Sequence, residues 1–99
     1  MKKRSVRWDK PALEYFRDSI SYIRKDSVQN AEKVKEDILG KIRNLAIRPE
    51  VHHPDKHKEN NTGEYRAFEL HRIRVAYRFN DIEVVIVRIR HSSQEPEAY

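Results

Sequence analysis

Five arginines in the second half of the chain could bind phosphate groups. They sit among segments rich in β-branched and aromatic residues, and they are Arg66, Arg74, Arg78, Arg88 and Arg90. An arginine on a rigid strand can hold a phosphate in bidentate geometry. The alternative is a set of cross-strand ion pairs and solvated strand faces, and composition alone favours that alternative.

Residues that could move protons lie near these arginines in the sequence: Tyr65, Tyr77, His91 and Tyr99. A histidine can transfer protons at neutral pH, and a tyrosine can stack on a base or share a proton. Arginines combined with such groups could cleave RNA without a metal ion.

Other chemistries lack the residues they need. The chain has no cysteine and two glycines, so a glycine-rich phosphate loop is excluded. His52, His53 and His57 could suggest a metal site, but Pro54 and the turn-forming residues 60–63 argue against a helix that would align them. We therefore expect residues 50–64 to form a solvated basic loop, with no metal and no cofactor.

The strands that would carry these residues lie within residues 65–91. Apolar side chains alternate with other residues over positions 73–79, as in a strand buried on one face. Residues 84–87 are all apolar, which indicates a central strand covered on both faces. We expect a three-stranded antiparallel meander, with a possible additional strand in residues 3–8.

Two tight turns define the expected register. A two-residue turn at Asn80-Asp81 would place Phe79 opposite Ile82, and with it Tyr77 opposite Val84 and Arg78 opposite Glu83. A second turn at His71-Arg72 would place Glu69 opposite Arg74, so both charged pairs have opposite signs. In this register His91 lies four residues beyond the partner of Arg74, about 13 Å along the strand.

This register divides the side chains between two faces. The expected core face carries Phe68, Leu70, Ile73, Val75, Tyr77, Phe79, Ile82, Val84 and Ile86. The expected open face carries Tyr65, Glu69, Arg74, Arg78, Val85, Val87, Ile89 and His91.

The first half of the chain predicts two helices. Asp9 and Ser27 are suitable N-caps, Pro11 suits a first helical turn, and the residue before Pro49 ends the second helix. One apolar stripe consists of Leu13, Phe16, Ile20 and Ile23, and the other of Ala31, Val34, Ile38, Ile42 and Leu45. The fold class is therefore α+β, a helical hairpin packed on one face of a small antiparallel sheet. Gly40 could mark a close helix contact.

Length and charge limit the remaining possibilities. Residues 1–99 suffice for one domain, and the net charge of +5 favours an acidic partner. No segment approaches the ~18 consecutive apolar residues of a membrane helix. We expect a cytoplasmic protein without a membrane partner.

The order of these segments resembles the RelE/ParE superfamily of type II toxin–antitoxin toxins. The resemblance covers nearly the whole chain: a short strand, the helices ALEYFRDSISYI and AEKVKEDILGKIRNL, then YRAFEL, IRVAYRF and EVVIVRIRH. It implies a small growth-inhibiting toxin that a cognate antitoxin holds inactive.

The superfamily has two branches, and the RNA-cleaving branch implies particular roles. Arg74 matches its catalytic arginine, Arg66 a basic residue on the preceding strand, and Tyr99 a C-terminal tyrosine, while some members have a catalytic histidine where His91 falls. A second arginine of the RelE type aligns with Ser93 and is missing. Substrate would bind to Arg66, Arg78, Arg88 and Arg90.

The ParE-like branch inhibits DNA gyrase without cleaving RNA. It also commonly shows a histidine after the last strand, and the long helical hairpin here resembles that branch. The resemblance slightly favours DNA gyrase as the target. A ribosome-dependent mRNA endoribonuclease is the alternative, and a non-toxic basic RNA-binding module is the third.

Overall fold

The structure, a computed structural model, describes residues 3–94 and 97–99. Within these residues the elements run in the order β1 Ser5–Trp8, α1 Lys10–Asp26, α2 Val28–Leu45, a short 3-10 helix Pro49–Val51, β2 Tyr65–Leu70, β3 Ile73–Phe79 and β4 Glu83–His91. The strand order in the sheet is β1-β4-β3-β2. The pairs β2–β3 and β3–β4 are antiparallel, and β1 is parallel to β4. The α+β class is confirmed, and the parallel first strand makes the sheet mixed.

The two helices form the predicted hairpin. Ser27 separates them, because its backbone is extended and its hydroxyl oxygen accepts a hydrogen bond from the Asn30 N–H at 3.0 Å. Asp9 precedes α1 but its side chain makes no capping hydrogen bond, while Pro11 lies in the first turn as expected. No helix of the described residues is both long and apolar enough to cross a membrane.

The core lies between the hairpin and one face of the sheet. The helices contribute Ala12, Phe16, Ile20, Ala31, Val34, Ile38, Ile42 and Leu45, and the sheet contributes Phe68, Ile73, Val75, Tyr77, Val84, Ile86 and Ile89. The position of Gly40 is not a close helix contact, since a Cβ added there would meet only the Arg43 side chain, at 3.8 Å.

The β2–β3 hairpin has the predicted register. Glu69 pairs with Arg74, and the turn consists of His71 and Arg72. Both turn residues have positive φ, 53° and 63°, which is the geometry a two-residue type I′ turn requires. His71 also contacts helix α2, with its Nε2 2.7 Å from Oδ2 of Asp37.

The predicted β3–β4 register is wrong. Phe79 pairs with Val84 and not with Ile82, and Tyr77 pairs with Ile86 and not with Val84. The Asn80 side chain explains the longer connection: its Oδ1 accepts hydrogen bonds from the N–H groups of Ile82 and Glu83, at 2.8 and 2.9 Å. A side chain that binds its own turn in this way competes with a two-residue turn.

Farther along the same strands, a β-bulge shifts the register again. Tyr77 pairs with Ile86 and Ala76 with Arg88, so Val87 is an additional residue on β4. Ile82, expected in the core, lies in the turn before β4 and is 71% exposed. The one-residue bulge exchanges the two faces for the residues that follow it, so Ile89, expected on the open face, is fully buried.

These shifts also overturn the predicted separation of Arg74 and His91. Arg74 pairs with Arg90, and His91 pairs with Ile73, the immediate neighbour of Arg74. The two candidate catalytic residues therefore lie one ladder position apart. His91, expected on the open face, lies opposite the buried Ile73 and so on the other face of the ladder from Arg74. The face of the sheet that carries Arg74, Arg88 and Arg90 is the one without helices.

Candidate functional site

A cavity of about 290 Å³ opens on the helix-free face of the sheet. Its lining includes Arg74 on β3 and Arg88 and Arg90 on β4, together with His91 and Tyr99. The small side chain of Ala76 lies opposite Arg88 and leaves room between the arginines. The fold thus brings together all three predicted catalytic residues and two of the four predicted substrate-binding arginines.

Asp55 is the centre of this site, and the sequence analysis missed it. Among the residues that the structure describes, Asp55 is the charged residue that is buried, with 2% of its surface exposed. Its Oδ1 accepts hydrogen bonds from Nη2 of Arg74 at 2.8 Å and from the His57 N–H at 3.0 Å. Its Oδ2 accepts one from the Tyr99 hydroxyl at 2.6 Å. No local pattern distinguishes Asp55 within its polar loop, so only the folded structure identifies it.

The contacts of Asp55 keep it ionised. Burial alone would raise its pKa, but the hydrogen bonds from Tyr99, His57 and Arg74 outweigh burial and lower the pKa below its usual value. A carboxylate held in this state is an acceptor for Arg74 and Tyr99, and it is not a proton donor at neutral pH.

Arg74 is held between two carboxylates. One terminal nitrogen contacts Asp55, and the other lies 3.2 Å from Oε1 of Glu69 on the neighbouring strand. Its side chain is 19% exposed. The cross-strand pairing of Glu69 with Arg74 that the sequence predicted is present, and the positive charge of Arg74 is already compensated within the protein.

Tyr99 closes one side of the cavity. Its N–H donates to the His57 carbonyl at 2.9 Å, and the Glu59 N–H donates to its main-chain oxygen at 2.6 Å. Its ring lies 4.9 Å from the Arg88 guanidinium carbon. Burial, followed by the hydrogen bond to Asp55 and its charge, raises the pKa of Tyr99 well above its usual value. The hydroxyl is therefore a hydrogen-bond donor to Asp55 and a poor proton acceptor.

The His91 ring is hydrogen-bonded to Ser93, the residue that the expected alignment places where RelE-type toxins have a second arginine. The Ser93 N–H donates to Nδ1 of His91 at 3.2 Å, and the Ser93 hydroxyl oxygen lies 2.6 Å from the same nitrogen. Because Nδ1 accepts the bond from the N–H, the proton of the neutral ring is on Nε2. The main-chain N–H of His91 donates to the Tyr15 hydroxyl at 3.1 Å, which fixes the end of β4 against α1.

Arg66 and Arg78, two of the predicted substrate-binding arginines, have structural contacts. Arg66 donates to the carbonyls of Gly63 at 3.0 Å and His52 at 2.9 Å, so it holds the loop against β2. Arg78 has a nitrogen 3.8 Å from Oε2 of Glu83, although the two residues are not opposite each other in the ladder.

Arg88 and Arg90 differ from these arginines. Arg88 donates to the Glu97 carbonyl at 2.9 Å, and Arg90 lies over the Tyr15 ring at 5.3 Å. Within residues 3–94 and 97–99, neither has a carboxylate within 4 Å. Their charges remain available to an acidic partner.

The loop histidines do not converge. His52 packs against Phe68, with ring centroids 4.9 Å apart, and burial lowers its pKa, with smaller contributions from Lys41 and His53. Across the described parts of the chain, no group of three or more histidine, aspartate or glutamate side chains is placed to hold a metal ion.

Comparisons with known proteins identify the family. A family model described as the ParE toxin of type II toxin–antitoxin systems, parDE, matches residues 6–96. One similar solved structure is described as the chromosomal ParDE TA system from P. aeruginosa. It has a TM-score of 0.66 and 19% sequence identity, and the match covers 92% of this chain and 98% of that chain. At this identity, the likeness shows the fold. A search of curated proteins found no match.

The family model matches most of the length of this chain. The chain therefore belongs to the ParE toxin family and is a type II toxin whose partner is a cognate antitoxin.

Proposed function

We propose that this toxin arrests bacterial growth by inhibiting DNA gyrase and that it does not cleave RNA. The observation that carries the proposal is the neutralised state of Arg74, the residue that matches the catalytic arginine of the RNA-cleaving branch. Asp55 and Glu69 both bind its guanidinium, at 2.8 and 3.2 Å. An arginine that stabilises charge on a reacting phosphate must be free to meet it, and here two carboxylates would have to be displaced first.

The proton-transfer groups support the same proposal. The Tyr99 hydroxyl donates to a carboxylate that remains ionised at neutral pH, so it cannot readily accept a proton from an attacking hydroxyl. Ser93 occupies the position of the missing second arginine and binds His91. Membership of the ParE toxin family favours a toxin over the basic RNA-binding module.

The gyrase proposal assigns a binding role to the open face. Arg88 and Arg90 project beside the cavity and contact no carboxylate of the described residues. In the proposal, Arg88 and Arg90 contact acidic groups of the target. The contacts among Asp55, Arg74 and Tyr99 hold the loop of residues 50–64 against the sheet and so keep the two arginines exposed beside the cavity.

A ribosome-dependent endoribonuclease remains the second candidate because one observation favours it. The cavity gathers Arg74, His91 and Tyr99 together with Arg88 and Arg90, which is the residue set that metal-free RNA cleavage would use. In this mechanism Arg74 would stabilise charge on the phosphate, and His91 or Tyr99 would transfer protons.

An induction experiment separates the two candidates. The toxin is expressed without antitoxin, and the integrity of translated messages and the supercoiling of a reporter plasmid are measured at early times. The proposal predicts growth arrest, intact messages and reduced negative supercoiling. Rapid cleavage of translated messages that Arg74→Ala and His91→Ala each abolish would replace it with the ribonuclease.

A further inference from the structure

The cavity on the helix-free face contains a buried hydroxyl that has no hydrogen-bond partner. Ser92 lines this cavity, and its hydroxyl oxygen is covered from solvent and bonds to no group of residues 3–94 and 97–99. Burying a hydroxyl without a partner costs free energy, and native proteins rarely contain such groups. A rotation about the Cα–Cβ bond moves a serine hydroxyl between staggered positions. A ligand with an oxygen in the cavity would therefore supply the hydrogen bond that Ser92 lacks.

Two arginines of the cavity have hydrogen-bond donors available to such a ligand. A guanidinium carries five N–H donors. In the described chain, Arg88 donates to the Glu97 carbonyl at 2.9 Å, and Arg90 donates to the Ile89 carbonyl at 2.8 Å. The carboxylate of Glu97, which also lines the cavity, lies more than 4 Å from both guanidinium groups. Arg88 and Arg90 lie on one face of β4, about 7 Å apart along the strand, so their long side chains can reach the same anion.

The third arginine of the cavity is already occupied. Asp55 and Glu69 bind the Arg74 guanidinium at 2.8 and 3.2 Å. These two carboxylates are therefore engaged with Arg74, and an anion that enters the cavity meets Arg88 and Arg90 instead. This arrangement differs from the one that the RNA-cleaving branch implies, in which Arg74 stabilises charge on the phosphate.

The shape of the cavity limits the size of its ligand. Its lining includes Glu97 and Tyr99, and the Tyr99 hydroxyl binds Asp55 at 2.6 Å. The cavity thus lies between the sheet and residues 97–99, and its volume of about 290 Å³ suits a small molecule. A continuous nucleic-acid strand would have to displace these residues, whereas a free nucleotide or the end of a strand would not.

We propose that this cavity binds a phosphate monoester of the size of a nucleoside monophosphate. A monoester carries nearly two negative charges at neutral pH, which matches the two charges of Arg88 and Arg90, whereas a backbone diester carries one. The two guanidinium groups bind phosphate oxygens, and the Ser92 hydroxyl donates to another. A bound monoester occupies the arginines that the gyrase proposal assigns to the target and so competes with it. The binding itself does not depend on which target the toxin has.

Calorimetric titration of the purified toxin with adenosine 5′-monophosphate (AMP) tests the site. We expect AMP to bind at least tenfold more tightly than adenosine, which has no phosphate. Arg90→Gln should weaken AMP binding at least tenfold, and Ser92→Ala about fivefold through the loss of one hydrogen bond. Arg17→Gln and Ser21→Ala alter exposed positions on α1 outside the cavity. These matched controls should change the affinity less than twofold. Equal binding of AMP and adenosine, or equal affinities of the cavity variants and their controls, would overturn the proposal.

Two short DNA strands of one sequence distinguish the possible sources of the phosphate. One strand carries a 5′-phosphate and the other a 5′-hydroxyl. If the phosphorylated strand binds at least as tightly as AMP and the other does not, the site takes the end of a nucleic acid. If AMP binds and neither strand does, the site takes a free nucleotide. Both results agree with the proposal. Binding of both strands as tightly as AMP would show that the site takes the backbone diester and would overturn it. No gyrase is present in these titrations, so failure of the gyrase proposal leaves their outcome unaffected.

Discussion

Arg74 on β3 donates to Asp55, 19 residues earlier in the chain, across a distance of 2.8 Å. This ion pair joins the sheet to the loop, and the Tyr99 hydroxyl binds the same carboxylate at 2.6 Å. Three distant parts of the sequence thus meet at one buried side chain. In this arrangement Arg74, the arginine expected to match the catalytic one of RNA-cleaving toxins, is bound by a carboxylate of its own chain.

Asp55→Asn should destabilise the protein by about 2 kcal/mol, because it removes one carboxylate and leaves the Arg74 charge in a largely buried position. Glu69 and partial exposure of Arg74 keep the loss below that of a fully buried pair. Urea unfolding of the natural protein and of Asp55→Asn measures this difference in the free energy of unfolding. Asp37→Asn, which removes an exposed carboxylate that binds Lys33 and His71, is the control and should cost much less. Equal losses would contradict a central role for Asp55.

The stabilisation from Asp55 should depend on pH. The folded state lowers its pKa, so the unfolded chain binds this proton more readily than the folded protein does. The contribution is therefore fully present above the unfolded pKa of about 3.9 and is lost as the pH falls through the lower folded value. The difference in unfolding free energy between the natural protein and Asp55→Asn should be larger at pH 6 than at pH 3. A difference that stays constant would show that ionisation of Asp55 contributes nothing.

Tyr99→Phe should loosen the contact between the tail and the loop. The variant keeps the ring beside Arg88 but loses the hydroxyl that donates to Asp55, a charge-assisted bond worth about 1.5 kcal/mol. Amide hydrogen exchange at Glu59, whose N–H donates to the Tyr99 main-chain oxygen, should become faster. Tyr22→Phe removes a hydroxyl from a side chain that is 76% exposed and should leave this exchange unchanged. Slow exchange at Glu59 in both variants would mean that the hydroxyl does not hold the tail.

Gly40→Ala should stabilise the protein by up to about 1 kcal/mol, because Gly40 lies within α2 and an added methyl group meets only the flexible end of Arg43. Gly63→Ala is the matched opposite case. Gly63 has a φ of +102°, so alanine there should destabilise by about 1 kcal/mol or more although no atom lies within 4 Å. Thermal unfolding of both variants checks the signs. A loss of stability in Gly40→Ala would show a helix contact that the structure does not contain.

Periodicity predicted the elements whose patterns are local. The apolar stripes of α1 and α2 predicted the hairpin, and the opposite charges of Glu69 and Arg74 predicted the β2–β3 register. The β3–β4 register depends on the Asn80 side chain and on the bulge at Val87, and neither has a periodic signal. Together the two shifts bring His91 to the ladder position beside that of Arg74, and the bulge alone turns Ile89 into the core.

The sequence pointed to the arginines of the candidate site but not to Asp55, its buried acidic residue. The sequence singled out Arg74, Arg88 and Arg90 as candidate binding or catalytic residues, but its expected open face carried Arg74 and not Arg88 or Arg90. The bulge at Val87 brings those two to the open face. Asp55 acquires its role from contacts with residues 19 and 44 positions away. Such contacts depend on the folded path of a loop without periodicity. The sequence therefore identified the arginines, did not place Arg88 and Arg90 on the open face, and missed the carboxylate that neutralises Arg74.

The most direct test of the gyrase proposal is a supercoiling assay with purified components. DNA gyrase is incubated with relaxed plasmid, ATP and increasing amounts of the toxin, with and without the cognate antitoxin. In parallel, the same toxin preparation is added to ribosomes translating a defined message. The account predicts that the toxin inhibits supercoiling, that antitoxin relieves the inhibition, and that the message stays intact. Full gyrase activity together with cleavage of the ribosome-bound message would contradict it.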